Sequence, residues 1–170
     1  MALALSGSVA LRIFMTLQDA LDMSTPEDVL EKQIQKVLSS GAGTLQVDRI
    51  FHDTRSINAS TNDDLDMVGG ALLTPFGTAF SLARLKFIAI KAADNNGTQV
   101  LTIGNATNAA ALFQSSGSNT ATLRAGDFMS WSRLDATGWA LTGGSTDVLR
   151  INNGSGAIAT YDIVLLGSST

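Results

Sequence analysis

Thr122–Ile151 reads TLRAGDFMSWSRLDATGWALTGGSTDVLRI. Three short apolar runs, Phe128 to Trp131, Trp139 to Leu141 and Val148 to Ile151, alternate with turn chemistry. Ala125-Gly126-Asp127, Asp135-Ala136-Thr137-Gly138 and Gly143-Gly144-Ser145 each offer a reversal. Gly supplies positive φ there, and Asp and Ser side chains bond nearby backbone. Runs of four or five residues with a turn about every ten are the pattern of an antiparallel sandwich or barrel. Both tryptophans lie in this stretch, so it is expected to supply a large share of the core. Trp131, beside Phe128 and Met129, is expected to be buried; Trp139, next to a turn, is expected to be partly accessible.

The same beat extends in both directions. Val9, Leu11, Ile13, Met15 and Leu17 recur at period two, with Arg12, Thr16 and Gln18 on the other face; a helix would scatter them around its circumference. Leu45 to Arg55 reads as extended, Ser56 to Asn62 as loop, and Asp63 to Val68 as a short strand ended by Gly69-Gly70. Leu82 to Lys91 carries Leu85, Phe87 and Ala89 on one face and Ile88 and Ile90 on the other. A strand apolar on both faces belongs in the middle of a sheet. Asp94-Asn95-Asn96-Gly97 reads as a tight hairpin turn, with Gln99 to Ile103 as the returning partner. Gly104 to Asn119 reads as a wandering loop around Ala111-Leu112-Phe113, and Ile158 to Leu166 closes the chain. Ser24 to Ser40 carries two patterns. Thr25-Pro26-Glu27-Asp28 looks like a helix start, with Leu30, Ile34, Val37 and Leu38 as its stripe. Leu30, Lys32, Ile34, Lys36 and Leu38 equally make one face of a strand, lysine stems covering apolar surface.

These readings add up to an all-β chain of about ten strands with no βαβ rhythm and at most one short helix. The expected architecture is an antiparallel β-sandwich of jelly-roll type, formed by a single domain over residues 9–170 behind an arm of residues 1–8. At 170 residues the chain is long enough to bury a core of its own. Charged residues are 15% of it, against the usual quarter, so it is expected to work as a subunit of something larger, as a homo-oligomer. The net charge of −4 leaves no basic footprint for nucleic acid or for an anionic membrane. There is no cysteine, which excludes disulfides and thiolate metal sites. Apolar runs such as Ile163 to Leu166 are too short to span a bilayer, and no export signal is read in the first residues, where Arg12 interrupts the apolar run.

Candidate chemistry is sparse. His52 is the sole histidine, followed by Asp53 and close to Ser56. Adjacent strand residues point to opposite faces, so Asp53 is poorly placed to orient His52 in a triad; a hydrogen-bonded structural histidine is expected. Asn62-Asp63-Asp64-Leu65-Asp66 places oxygen ligands at alternate positions, as a calcium loop does. Met67 stands where that loop needs Gly and Leu73 where it needs Glu, so acids on a solvated edge strand are the expected reading. Trp131 and Trp139 are candidates for a sugar-stacking platform. Gly69-Gly70 and Gly143-Gly144 lack the Lys and helix start of a phosphate loop. No catalytic, cofactor-binding or metal-binding residue is assigned, and no cofactor is expected.

Several phrases of the chain resemble the capsid decoration, or cement, proteins of tailed bacteriophages, a family encoded beside the major capsid gene. The phrases are Ala20-Leu21-Asp22-Met23-Ser24-Thr25-Pro26, Ile50-Phe51-His52-Asp53-Thr54-Arg55, Asp64-Leu65-Asp66, Leu73-Thr74-Pro75-Phe76-Gly77, Asp135-Ala136-Thr137-Gly138-Trp139 and Thr160-Tyr161-Asp162-Ile163-Val164-Leu165-Leu166-Gly167. They are structural rather than catalytic. The resemblance implies a β-rich, non-enzymatic virion protein, made in the host bacterial cytoplasm and bound to the capsid exterior, with the phage major capsid protein as partner. It also tips the ambiguous segment toward a strand near Gln33 to Ser39. The first strand (Val9 to Leu17) and the last (Ile158 to Leu166) are the candidate free edges for docking. A tail- or fibre-associated sandwich binding a host glycan, and a hydrolase on the same fold, are the alternatives.

Overall fold

A computed structural model describes residues 5–20, 23–74, 76–112, 119–154 and 156–170. It is all-β: eleven strands and no helix among the described residues. In chain order they are β1 (Gly7–Gln18), β2 (Glu27–Leu38), β3 (Arg49–Ile57), β4 (Thr61–Asp66), β5 (Arg84–Ala92), β6 (Leu101–Gly104), β7 (Thr120–Leu123), β8 (Phe128–Ser132), β9 (Trp139–Ala140), β10 (Val148–Asn153) and β11 (Ala159–Ser168). One sheet runs β3-β11-β5-β8, with β9 also on β5; the other runs β4-β10-β6-β7. All named strand pairs are antiparallel. The chain crosses between the sheets at β3 to β4, β4 to β5, β5 to β6, β7 to β8, β9 to β10 and β10 to β11. Within the sandwich the first strand pairs with the last and the second with the next-to-last.

The core lies between the two sheets. Ile88, Ile90, Leu101, Ile103, Leu149, Ile151, Ile163 and Leu165 are buried in it. Its centre comes from β5, β6, β10 and β11 rather than from the Thr122–Ile151 stretch alone. Trp131 and Trp139 are both half-buried against it, so the expected contrast between them is absent.

The Asn-Gly turn is present, with Gly97 at φ +63°, but it does not join a hairpin. β5 already has β11 on one side and β8 and β9 on the other, so β6 crosses to the opposite sheet. The Asn96 side chain fixes this corner. Its Nδ2 donates to the Thr160 carbonyl and its Oδ1 accepts from the Thr160 N–H, both at 2.8 Å. The loop expected over Ser56 to Asn62 shrinks to Asn58–Ser60, because β3 runs on to Ile57 and β4 starts at Thr61. Asp135 organises the turn before β9, accepting from the Thr137 and Gly138 N–H groups at 2.9 and 2.7 Å. Gly138 is needed there: φ is +52° and a Cβ would lie 2.7 Å from the Leu85 carbonyl oxygen. Of the loop around Ala111-Leu112-Phe113, Leu112 is buried, while Phe113 lies outside the described residues.

β1 and β2 stand apart from the sandwich as a two-stranded ribbon. The ambiguous segment is a strand, six residues longer at its start than the Gln33 boundary. Register decides it: Leu30 pairs with Met15, Ile34 with Leu11 and Glu27 with Gln18. Side-chain bonds from Arg12 to Glu31 (2.8 Å) and Gln18 to Glu27 (2.9 Å) cross the pair. A short isolated helix is marginal in water, and a continuous partner strand outweighs its capping signals. The ribbon meets the sandwich at its base. There Leu38, Val47 and Leu166 form a second small core, joined by Leu5, Val9, Phe87, Leu134 and Val164.

Candidate functional site

His52 lies in a shallow cleft of about 630 Å³ with Asp53, Thr54, Asp162, Leu73 and Thr74 among its walls. It is exposed and its imidazole has no hydrogen-bond partner among the described residues, so it is not the bonded structural histidine expected. The groups that could have engaged it are committed elsewhere. Asp53 pairs with Arg55 at 3.0 Å. Thr54 donates to Asp162 at 2.6 Å, and the Ser56 hydroxyl lies 3.2 Å from that of Thr160. Alternation along β3 turns Asp53 and Arg55 to the opposite face from His52, Thr54 and Ser56.

The acidic run on β4 is also consumed by pairing. Asp63 accepts from Arg55 Nε and Nη2 at 2.6 and 3.0 Å and from the Tyr161 hydroxyl at 2.8 Å. These bonds tie β3, β4 and β11 together. Asp64 takes both nitrogens of a fork from Arg150 at 2.7 Å, which holds its carboxyl below the usual range. Asp66 caps the Val68 and Gly69 N–H groups at 2.9 and 2.7 Å. Among the described residues no cluster of three His, Cys, Asp or Glu side chains could hold a metal. Trp139 pairs with Leu85, and both tryptophans are partly buried against the core. Gly144 sits in a turn at φ +71°, its N–H bonded to Asp147 at 2.6 Å.

The feature that sequence reasoning missed is Lys86. It is fully buried in the middle of an apolar strand. Leu166 pairs with Phe87, but Gly167 pairs with Leu85, so Lys86 is the extra residue of a β-bulge. A bulge re-aims a side chain, and here it separates Leu85 from Phe87, which the alternation had put on one face. The Lys86 ammonium donates to the carbonyls of Ala42, Gly43 and Gln46 at 2.7, 2.6 and 2.9 Å. Burial lowers its pKa, as does Arg84, while Asp135 and Asp48 oppose the shift. Three acceptors need three N–H groups, which only the charged amine has. Lys86 therefore pins the loop beneath the ribbon and is structural. A lysine amid apolar residues was the available signal.

What remains exposed and chemically unusual is the ribbon. Cross-strand pairs share a face, so Val9, Leu11, Ile13, Met15 and Leu17 lie with Lys36, Ile34, Lys32, Leu30 and Asp28. Most of that face is open, Leu17 being 73% and Met15 62% exposed. The opposite face carries Arg12, Gln18, Glu27, Glu31, Gln33 and Gln35 around Phe14, Val29 and Val37. The candidate free edges separate here. β1 is one edge of a two-stranded sheet, but β11 lies between β3 and β5 and has no free edge to offer.

Comparison of the chain with protein-family models, with curated proteins and with solved structures gives no match.

Proposed function

We propose that this chain is a structural virion protein that decorates a tailed-bacteriophage capsid from outside and makes the shell harder to disrupt. The observation that carries this reading is the β1–β2 ribbon. A lone two-stranded hairpin is marginal in water, yet this one extends for twelve residues per strand beyond a sandwich that does not cover it. Such an element makes sense as a docking device. The outer edge of β1 offers main-chain donors and acceptors, so strand addition to a shell protein needs no special side chains. The resemblance of the phrases quoted above to phage cement proteins directs the reading to a capsid and to the major capsid protein as partner. The glycan-binding alternative was built on Trp131 and Trp139, and both are partly buried against the core.

A ligand that binds only the intact shell stabilises it by mass action, by about 2.7 kcal/mol per site at a hundredfold excess over Kd. Virions carrying the protein should therefore release DNA at a higher temperature than virions lacking it. Heat-induced genome release from both kinds of particle, with localisation by electron microscopy, tests this. Equal heat resistance, or density confined to the tail, would show the assignment to be wrong.

A further inference from the structure

The apolar face of the ribbon has the composition and charge layout of a self-complementary surface. Leu11, Ile13, Met15, Leu17, Leu30 and Ile34 are 38–73% exposed. That is on the order of 600 Å² of apolar surface, the upper end of what a monomer leaves uncovered. It also approaches the ~800 Å² per partner of a standard interface. Charge is graded along the same face: Lys36 near the base, Lys32 in the middle and Asp28 at the tip. The base of the face also looks across a crevice of about 380 Å³ at the outer surface of β5 and β8, lined by Phe87, Ala89 and Phe128 as well as Leu11, Ile34 and Lys36.

We propose that this face binds the same face of a second copy, the two ribbons stacked antiparallel about a two-fold axis through Ile13 and Lys32. Stacking β1 on β1 in that sense sets Val9 against Leu17, Leu11 against Met15, and Ile34 against Leu30 of the second copy. The tip acid Asp28 then meets the base cation Lys36 at both ends, because a two-fold interface repeats every contact. The parallel arrangement sets lysines on apolar rows and forms neither ion pair. The tip of each ribbon enters the crevice of the other copy, where Leu17 and Met15 reach Phe87 and Phe128. Lys32 meets its own copy at the axis, and its long stem lets the ammonium reach water at the ribbon's edge. The opposite face, with its Arg12–Glu31 pair and glutamines, stays solvated. This dimer does not depend on the capsid reading, since it requires no shell.

Sedimentation velocity on the full chain over a range of concentrations tests the proposal. The wild type should sediment at twice the 17.7 kDa chain mass. Ile13→Glu, at the axis, should weaken association by at least about tenfold, as loss of a central anchor does. Phe14→Glu, the next residue but on the other face, should leave it unchanged. Asp28→Lys and Lys36→Asp should each weaken the dimer, and the two together in one chain should restore it, which a variant that merely unfolds the ribbon cannot do. A monomeric wild type, a trimer, equal effects of Ile13→Glu and Phe14→Glu, or no rescue in the double variant would each overturn the proposal. So would a monomer whose ribbon becomes protected only on capsids, since the occupant of the face would then be the shell protein.

Discussion

Lys86 shows how one residue can hold a region in place. Its three carbonyl partners all lie in the loop between β2 and β3, the same loop that seats the ribbon on the sandwich. Replacing it with Met keeps the volume but leaves three partly buried carbonyls without that donor. Lys86→Met should therefore lower stability by about 1–3 kcal/mol, read as a shifted urea midpoint with an unchanged m value. Faster hydrogen exchange in residues 39–47 should accompany it. Tyr161 makes a different prediction. Its hydroxyl is fully buried beside Asp63. Burial raises its pKa above the ordinary 10, with the charge and hydrogen bond of Asp63 adding to this and Arg55 opposing. Below about pH 10 the phenol is protonated in both folded and unfolded chains, and its contribution to stability is fully present. Above that pH only the unfolded chain gives up the proton, so stability should fall by about 1.4 kcal/mol per pH unit from this group. Tyr161→Phe should flatten that alkaline limb in urea titrations between pH 9 and 11.

At the scale of elements, the sandwich strands and the ribbon strands look alike in sequence yet carry very different energies. β5 and the ribbon both alternate apolar residues, but Ile90 is 1% exposed and Leu30 is 50% exposed. Ile90→Ala should cost about 2–5 kcal/mol through lost transfer energy and the cavity left behind. Leu30→Ala should cost less than about 1 kcal/mol when measured on the monomer at low concentration. Equal costs would mean that the ribbon is packed against the sandwich more closely than its exposure implies. The bulge at Lys86 belongs to the same scale. Beside it β5 pairs with β9 at Leu85 and with β8 from Phe87 onward, so one strand serves two short neighbours.

For the whole molecule, topology governs folding. β3 pairs with β11, joining Arg49 to Gly167, and β4 pairs with β10, joining Asp66 to Val148. Contacts this distant along the chain must close long loops before they are rewarded, so refolding should take milliseconds to seconds. Stopped-flow tryptophan fluorescence should follow it, because both Trp131 and Trp139 lie against the core. A main phase faster than about a millisecond would contradict this topology's control of the rate.

The sequence by itself determined the all-β class, the positions of most strands and turns, and the central place of β5, because period-two burial and turn chemistry are local properties. It also placed Asp53 on the opposite face from His52, since alternation along a strand is local too. Tertiary structure decided what depends on partners: that the Asn96–Gly97 turn is a corner, that β2 begins at Glu27, that β11 is internal, and that Trp131 is only half covered. It alone revealed the bulge that turns Lys86 inward, because a bulge is a mismatch between two strands and neither strand's sequence contains it. The ribbon's exposure was hidden for the same reason. An alternating strand announces an apolar face, and only the packing of the folded chain tells whether anything lies against it.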